Sequence, residues 1–236
     1  MMRTMEQIKL VGTIVRYNLK IIFAGRFLYF LLAAWLFFLL IIGLMLFSEG
    51  NADVTDIYDT LIFPGILIMF YPIVYNIQND KDARMLEIIF GLPDYRYKVY
   101  LLRFVITLLM LVSLMLLMAF FAWFAVVRIP VFSMVIQLMV PLLFLSCLTF
   151  LFTAILRNGN GASVTRVIIG LVFFILNEPL AKSKWNLFLN PYNIPTDMNL
   201  TIWMNVVHQN RLIMMIGSII ALLWGLIGLQ RREKFV

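Results

Sequence analysis

Residues 79–103 read NDKDARMLEIIFGLPDYRYKVYLLR, a strongly charged stretch set between two long apolar runs. Asn79 or Asp80 can N-cap a helix, and Asp80 and Asp82 fall in its first turn, where carboxylates suit the positive end of the dipole. Asn79 and Asp82, three apart, approximate a capping box. Asp80 and Arg84 form a favourable i,i+4 pair, with Glu87 three residues further on. Gly91 suits the position just past a helix end, and Pro93 blocks continuation. The pattern predicts a helix of about three turns over Asp80–Phe90. Two roles fit such a helix: an amphipathic connector, or a docking element that carries force from a soluble motor.

The flanking runs decide the fold class. The chain is 63% hydrophobic and 13% charged, with a mean hydropathy of +0.97. A soluble domain keeps about a quarter of its residues charged. The sequence therefore predicts an all-α polytopic membrane protein, a single transmembrane domain over 1–236. The six expected spans are Phe27–Phe47, Tyr58–Ile77, Val99–Val127, Val131–Leu156, Ser163–Leu176 and Leu212–Leu229. Pro64, Pro72 and Pro141 lie inside spans two and four, where they favour kinks. Ser48–Asp59 reads as an acidic loop, and Arg157-Asn158-Gly159-Asn160-Gly161 as a turn.

Residues 1–26 predict an interfacial helix. Glu6, Lys9, Thr13, Arg16 and Lys20 form one polar stripe, and Ile8, Val11, Ile14, Val15, Leu19 and Ile22 fill the rest. At the other end, Asn177–Arg211 holds Glu178-Pro179, Trp185, Pro191, Pro195, Trp203 and His208 among short apolar pieces. That mixture predicts an outer segment at the membrane interface, or a re-entrant pair of short helices. Glu178, Trp185 and Trp203 are its candidate anchors.

The cations set the orientation. Arg3, Lys9, Arg16, Lys20, Arg26, Lys81, Arg84, Arg96, Lys98, Arg103, Arg157, Arg166, Arg231, Arg232 and Lys234 fall on one side, fifteen of the nineteen Lys and Arg. Arg128, Lys182, Lys184 and Arg211 fall on the other. The bias predicts both termini in the cytosol and residues 79–98 on the cytosolic face. It also assigns the net charge of +7 to lipid headgroups rather than to nucleic acid.

Several chemistries are missing from the sequence. There is no GxxxxGK[ST] phosphate loop. One histidine, His208, and one cysteine, Cys147, offer no metal-ligand cluster and no intramolecular disulfide. Ser163 and His208 are expected at opposite ends of their spans, too far apart for an intramembrane serine-protease pair of the rhomboid type. Asp59, Arg103, Arg166 and Glu178 are all expected near span ends, which leaves no chain of buried charges for an ion-coupled carrier.

Asp80-Lys81-Asp82, then Leu86-Glu87, Leu92-Pro93 and Arg96, resembles a pattern of ABC-type-2 transporter permeases. There an acidic-basic-acidic triplet precedes Thr-Leu-Glu, Leu-Pro and a basic residue just before the third membrane helix. This chain has Arg84-Met85 where that family often has Gly-Thr. The element order is also similar from end to end. The resemblance implies the membrane subunit of an ATP-driven exporter in the inner membrane, not itself an enzyme. It implies pairing with a second permease subunit, identical or paralogous, and with separate ABC ATPase subunits that carry the ATP and Mg. Asp80, Lys81, Asp82, Arg84, Glu87, Leu92, Pro93 and Arg96 would then couple to the ATPase, and Lys9, Arg16 and Lys20 would brace the cytosolic entrance. An alternative keeps the fold without a transported substrate: an anchor or force transmitter in the same kind of complex.

Overall fold

The computed structural model describes residues 26–47, 52–75, 96–156 and 159–230. They form six helices: α1 (Phe27–Phe47), α2 (Val54–Val74), α3 (Arg96–Ala125), α4 (Val131–Leu156), α5 (Gly159–Ile175) and α6 (Leu200–Gln230). Five of the six are long and apolar enough to cross a membrane. The chain has the architecture of a multi-pass helical membrane protein, with no strand among the described residues. The exception is α5. Its 17 residues rise about 26 Å, a little short of a hydrocarbon core of roughly 30 Å.

Successive helices alternate in direction, so α2, α4 and α6 run the same way. Leu142 of α4 meets Gly65 of α2, and Phe144, Phe150 and Ala154 of α4 meet Gly217, Gly225 and Gly228 of α6 in matching order. Among the described helices the α4–α6 pairing is the most extensive, followed by α1–α2. Burial ranks the layers: 67% of the α2 span is buried against 17% of the α1 span. Thus α2 and α4 form the centre, and α1, α5 and α6 keep broad apolar faces open.

Glycine lets α4 and α6 approach. A Cβ at Gly225 would lie 2.8 Å from the Phe150 ring and 3.3 Å from the Leu151 Cα. The ring can swing aside but the backbone cannot, which is how small residues set helix contacts in lipid. Gly225→Leu is therefore expected to destabilise the chain by about 2 kcal/mol in detergent unfolding. Gly43→Leu serves as the control, because nothing lies within 4 Å of its Cβ position, and it should cost little.

Hydroxyls inside the bundle are satisfied locally. Ser146, Thr149 and Thr153, all buried on α4, donate to the carbonyls of Leu142, Leu145 and Thr149, four residues back. Thr60, Thr107 and Ser218 do the same on α2, α3 and α6. This removes the cost of a bare hydroxyl in an apolar setting. Cys147 is buried and free, a packing residue as expected.

Four boundaries differ from the sequence expectation. First, α2 begins at Val54, inside the supposed acidic loop. Asp53 is its N-cap and Asp56 closes a capping box, with the Asp53 N–H donating to Asp56 Oδ2 at 3.0 Å. Second, Gly159-Asn160-Gly161 opens α5 rather than forming a turn. Third, α6 starts at Leu200, twelve residues before the expected Leu212. Fourth, the re-entrant pair of short helices is absent: 176–199 is a run of turns and irregular chain, and 200–211 belongs to α6. Pro64, Pro72 and Pro141 interrupt neither α2 nor α4.

Candidate functional site

Three arginines are buried in the bundle, although the sequence alone places Arg103 and Arg166 near span ends and Arg211 in the outer segment. Arg103, Arg166 and Arg211 are 6%, 5% and 8% exposed. Burying a cation demands partners, and those of Arg211 and Arg166 define two polar layers.

The first layer sits at the end of the bundle that holds 52–53, 126–130 and 176–199. Arg211 on α6 is its hub. Its Nε donates to Gln137 Oε1 on α4 at 2.9 Å, and its Nη1 to Asn210 Oδ1 at 2.9 Å. Its Nη2 donates to the Tyr58 hydroxyl on α2 at 3.0 Å and to the Leu189 carbonyl at 3.1 Å. One planar fork thus ties three helices to the 176–199 segment. Asparagines complete the layer. Asn210 Nδ2 donates to the carbonyls of Lys184 and Asn186, both at 2.8 Å. Asn190 Nδ2 donates to the Thr55 carbonyl and to Asp59 Oδ1, both at 3.0 Å. The side-chain oxygens of Asn186 and Asn190 accept from the N–H groups of Phe188 and Tyr192, two residues on. These local Asx turns hold a segment that lacks helix bonds of its own.

Apolar side chains pin the same segment from below. Leu187 packs with Leu145 and Met214, and Leu189 with Trp203 and Val207. At its exposed edge Lys182 pairs with Asp197 at 2.5 Å, and that hydrogen bond holds the Asp197 carboxyl below the usual carboxylate range.

The three outer-segment candidates take separate parts. Trp203 is fully buried on α6 and donates its indole N–H to the Pro191 carbonyl at 3.1 Å. Trp185 and Glu178 are exposed. Arg211, counted from the sequence as an orientation charge, is the residue that organises the layer. Its signal was available: Trp203, Val207, Asn210, Arg211, Met214, Ser218 and Ala221 are all buried at spacings of one, three and four, one unbroken helical face.

The second layer lies nearer the opposite end. Arg166 on α5 donates Nη2 to the Ile66 carbonyl of α2 at 3.1 Å, and its guanidinium carbon stands 5.3 Å from the centre of the Phe70 ring. Its Nε and Nη1 are buried with no hydrogen-bond partner among the described residues. Closer to that end, the Tyr75 hydroxyl donates to Asn160 Oδ1 at 3.4 Å and accepts from Ser163 at 3.5 Å. Sequence placed Arg166 near a span end; it sits eight residues into the 17-residue α5, facing the middle of α2.

The candidate coupling residues Asp80, Lys81, Asp82, Arg84, Glu87, Leu92 and Pro93 lie outside the described residues, as do Lys9, Arg16 and Lys20. Arg96 is the first residue of α3. No group of three potential metal ligands occurs among the described residues. Comparison of the chain with protein-family models, with curated proteins and with solved structures found no match.

Proposed function

We propose that the chain is the membrane subunit of an ATP-driven exporter of the ABC-type-2 kind, working as a dimer with separate ATPase chains that bind ATP and Mg. The observation that carries the reading is where α2 ends and α3 begins. The C-terminal end of α2 and the first residue of α3 lie away from the 176–199 segment, which bonds the first turns of α2, and the charged stretch 79–98 falls between them in the sequence. The positive-inside bias puts that connection in the cytosol of the inner membrane, within reach of a soluble motor. On this reading α5 completes six spans, both termini are cytosolic, and 176–199 caps the outer end.

The mechanism is mechanical. ATP closes the ATPase dimer, and the Asp80–Phe90 helix seated in it moves. Leu92 and Pro93 pass that motion into α3, whose first residue is the candidate coupling residue Arg96. The open apolar faces of α1 and α5, both neighbours of α2, are where a second copy or paralogue would seat, and lipid would cover the rest.

Two measurements test this. Purification of the chain from its native membrane in mild detergent should bring down a stoichiometric phosphate-loop ATPase. Charge reversal at both Asp82 and Glu87 should then lower ATPase association and substrate-stimulated hydrolysis at least tenfold, a loss of about 1.4 kcal/mol or more. Unchanged association would remove the coupling assignment. A stable complex with no stimulated hydrolysis and no flux would identify a force-transmitting anchor instead.

A further inference from the structure

Where α1 runs into α2, an open cleft of about 340 Å³ is lined by Phe37, Ile41 and Met45 of α1 and by Asp56, Asp59 and Thr60 of α2. Its two walls follow from helix periodicity. Phe37, Ile41 and Met45 are four apart and make one apolar ridge, while Asp56, Asp59 and Thr60 are three and four apart and make one polar ridge. The Phe37 and Phe63 rings, 4.3 Å between centres, close the cleft toward the middle of the bundle. Both carboxylates are exposed, and among the described residues no Lys, Arg or His lines the space.

Two carboxylates beside a hydrocarbon wall, on helices that cross a membrane, call for a cation that carries its own apolar surface. A bare metal ion fits poorly. Calcium takes about six to eight oxygens, and Asp56 Oδ2 already accepts the Asp53 N–H while Asp59 Oδ1 accepts from Asn190. The apolar wall would also go unused. We propose that this cleft binds a cationic amphiphile, its ammonium head between Asp56 and Asp59 and its alkyl chain along Phe37, Ile41 and Met45. The Thr60 hydroxyl, which donates to the Asp56 carbonyl at 2.8 Å, keeps its oxygen free to accept from an N–H of the head. Asn190 ties Asp59 to the 176–199 segment, so the bound head rests against the polar layer around Arg211.

The assignment stands on the cleft and not on the exporter reading, so its test uses the chain alone in nanodiscs of zwitterionic lipid. The probe is hexadecylammonium with a photoreactive diazirine in its chain, and labelled residues are mapped by mass spectrometry. Saturable labelling is expected on the Phe37–Met45 face and at Phe63. Excess hexadecyltrimethylammonium should compete, and hexadecanol and hexadecyl sulfate should not. Asp59→Asn should weaken labelling about tenfold, as loss of a charge-assisted contact does, and Asp59→Glu should restore it. Met45→Trp should block the cleft with both carboxylates intact. Labelling that does not saturate, that hexadecyl sulfate competes equally, or that survives both Asp59→Asn and Met45→Trp would overturn the site and leave only lipid around α1.

Discussion

Arg211→Met is expected to lower the unfolding free energy of the chain by about 3 kcal/mol. Methionine fills a similar space but donates nothing. Gln137 Oε1, Asn210 Oδ1, the Tyr58 hydroxyl and the Leu189 carbonyl would each lose the guanidinium. A buried acceptor left bare costs about 1–3 kcal/mol, and relaxation around four acceptors recovers part of the sum. Leu189 keeps one donor, the Tyr58 hydroxyl at 3.5 Å. Arg211→Lys retains the charge and loses the fork, so its loss should be intermediate. The check is reversible unfolding in detergent, paired with limited proteolysis of 176–199. Cleavage there should rise in step with the loss, because two of the four bonds reach that segment directly or through Asn210. A loss below about 1 kcal/mol would mean that the fork is redundant with the asparagine bonds.

The helices were legible because apolar runs need only length. Phe27–Phe47 and Val131–Leu156 occur as the sequence predicts. The misplaced boundaries share one cause. Polar residues within a helix read, from sequence alone, as its end. Asp56 and Asp59 suggested a loop, although Asp53-x-x-Asp56 is the same kind of capping signal recognised at Asn79. Asn205, His208, Asn210 and Arg211 suggested an interfacial segment, although they ride on the first three turns of α6. A helix of 31 residues rises about 46 Å, well beyond the hydrocarbon. Its first turns are free to carry polar groups.

The polar layer itself was not legible. Its bonds join residues far apart in the chain: Thr55 with Asn190, Tyr58 with Arg211, Gln137 with Arg211. Asn186 and Asn190 lie outside any helix and carry no periodic signal. Only the fold reveals that Asn186 joins the Arg211 guanidinium through Asn210, and that Asn190 bonds α2 beside it. The cleft shares this origin, because its apolar and acidic ridges belong to different helices and are brought face to face by the α1–α2 pairing.

Arg166→Met should have the opposite sign to Arg211→Met, raising stability by about 2 kcal/mol. The two arginines are almost equally buried, so burial does not separate them. Hydrogen bonding does. Arg211 spends donors on four acceptors, whereas Arg166 has one, the Ile66 carbonyl, plus the face of Phe70. Its Nε and Nη1 have no partner among the described residues. A desolvated cation costs several kcal/mol after relaxation, and a cation–π contact returns about 2. Methionine removes the uncompensated charge and keeps the packing against Phe70. Arg166→Lys keeps the charge and loses the planar contact, so it should give no gain. A rise with methionine but not with lysine isolates desolvation as the cause; a fall of more than about 1 kcal/mol with methionine would show that the cation is better held than its two bare donors indicate. The two arginines share no partner, and their contacts on α2, at Tyr58 and Ile66, are eight residues apart, about 12 Å along the helix. The double variant should therefore come out near the sum, about 1 kcal/mol below the parent. If the chain is an exporter subunit, Arg166→Met should also slow flux while it stabilises the fold. A cation poorly satisfied between α2 and α5 favours their separation, and methionine would hold that pair closed.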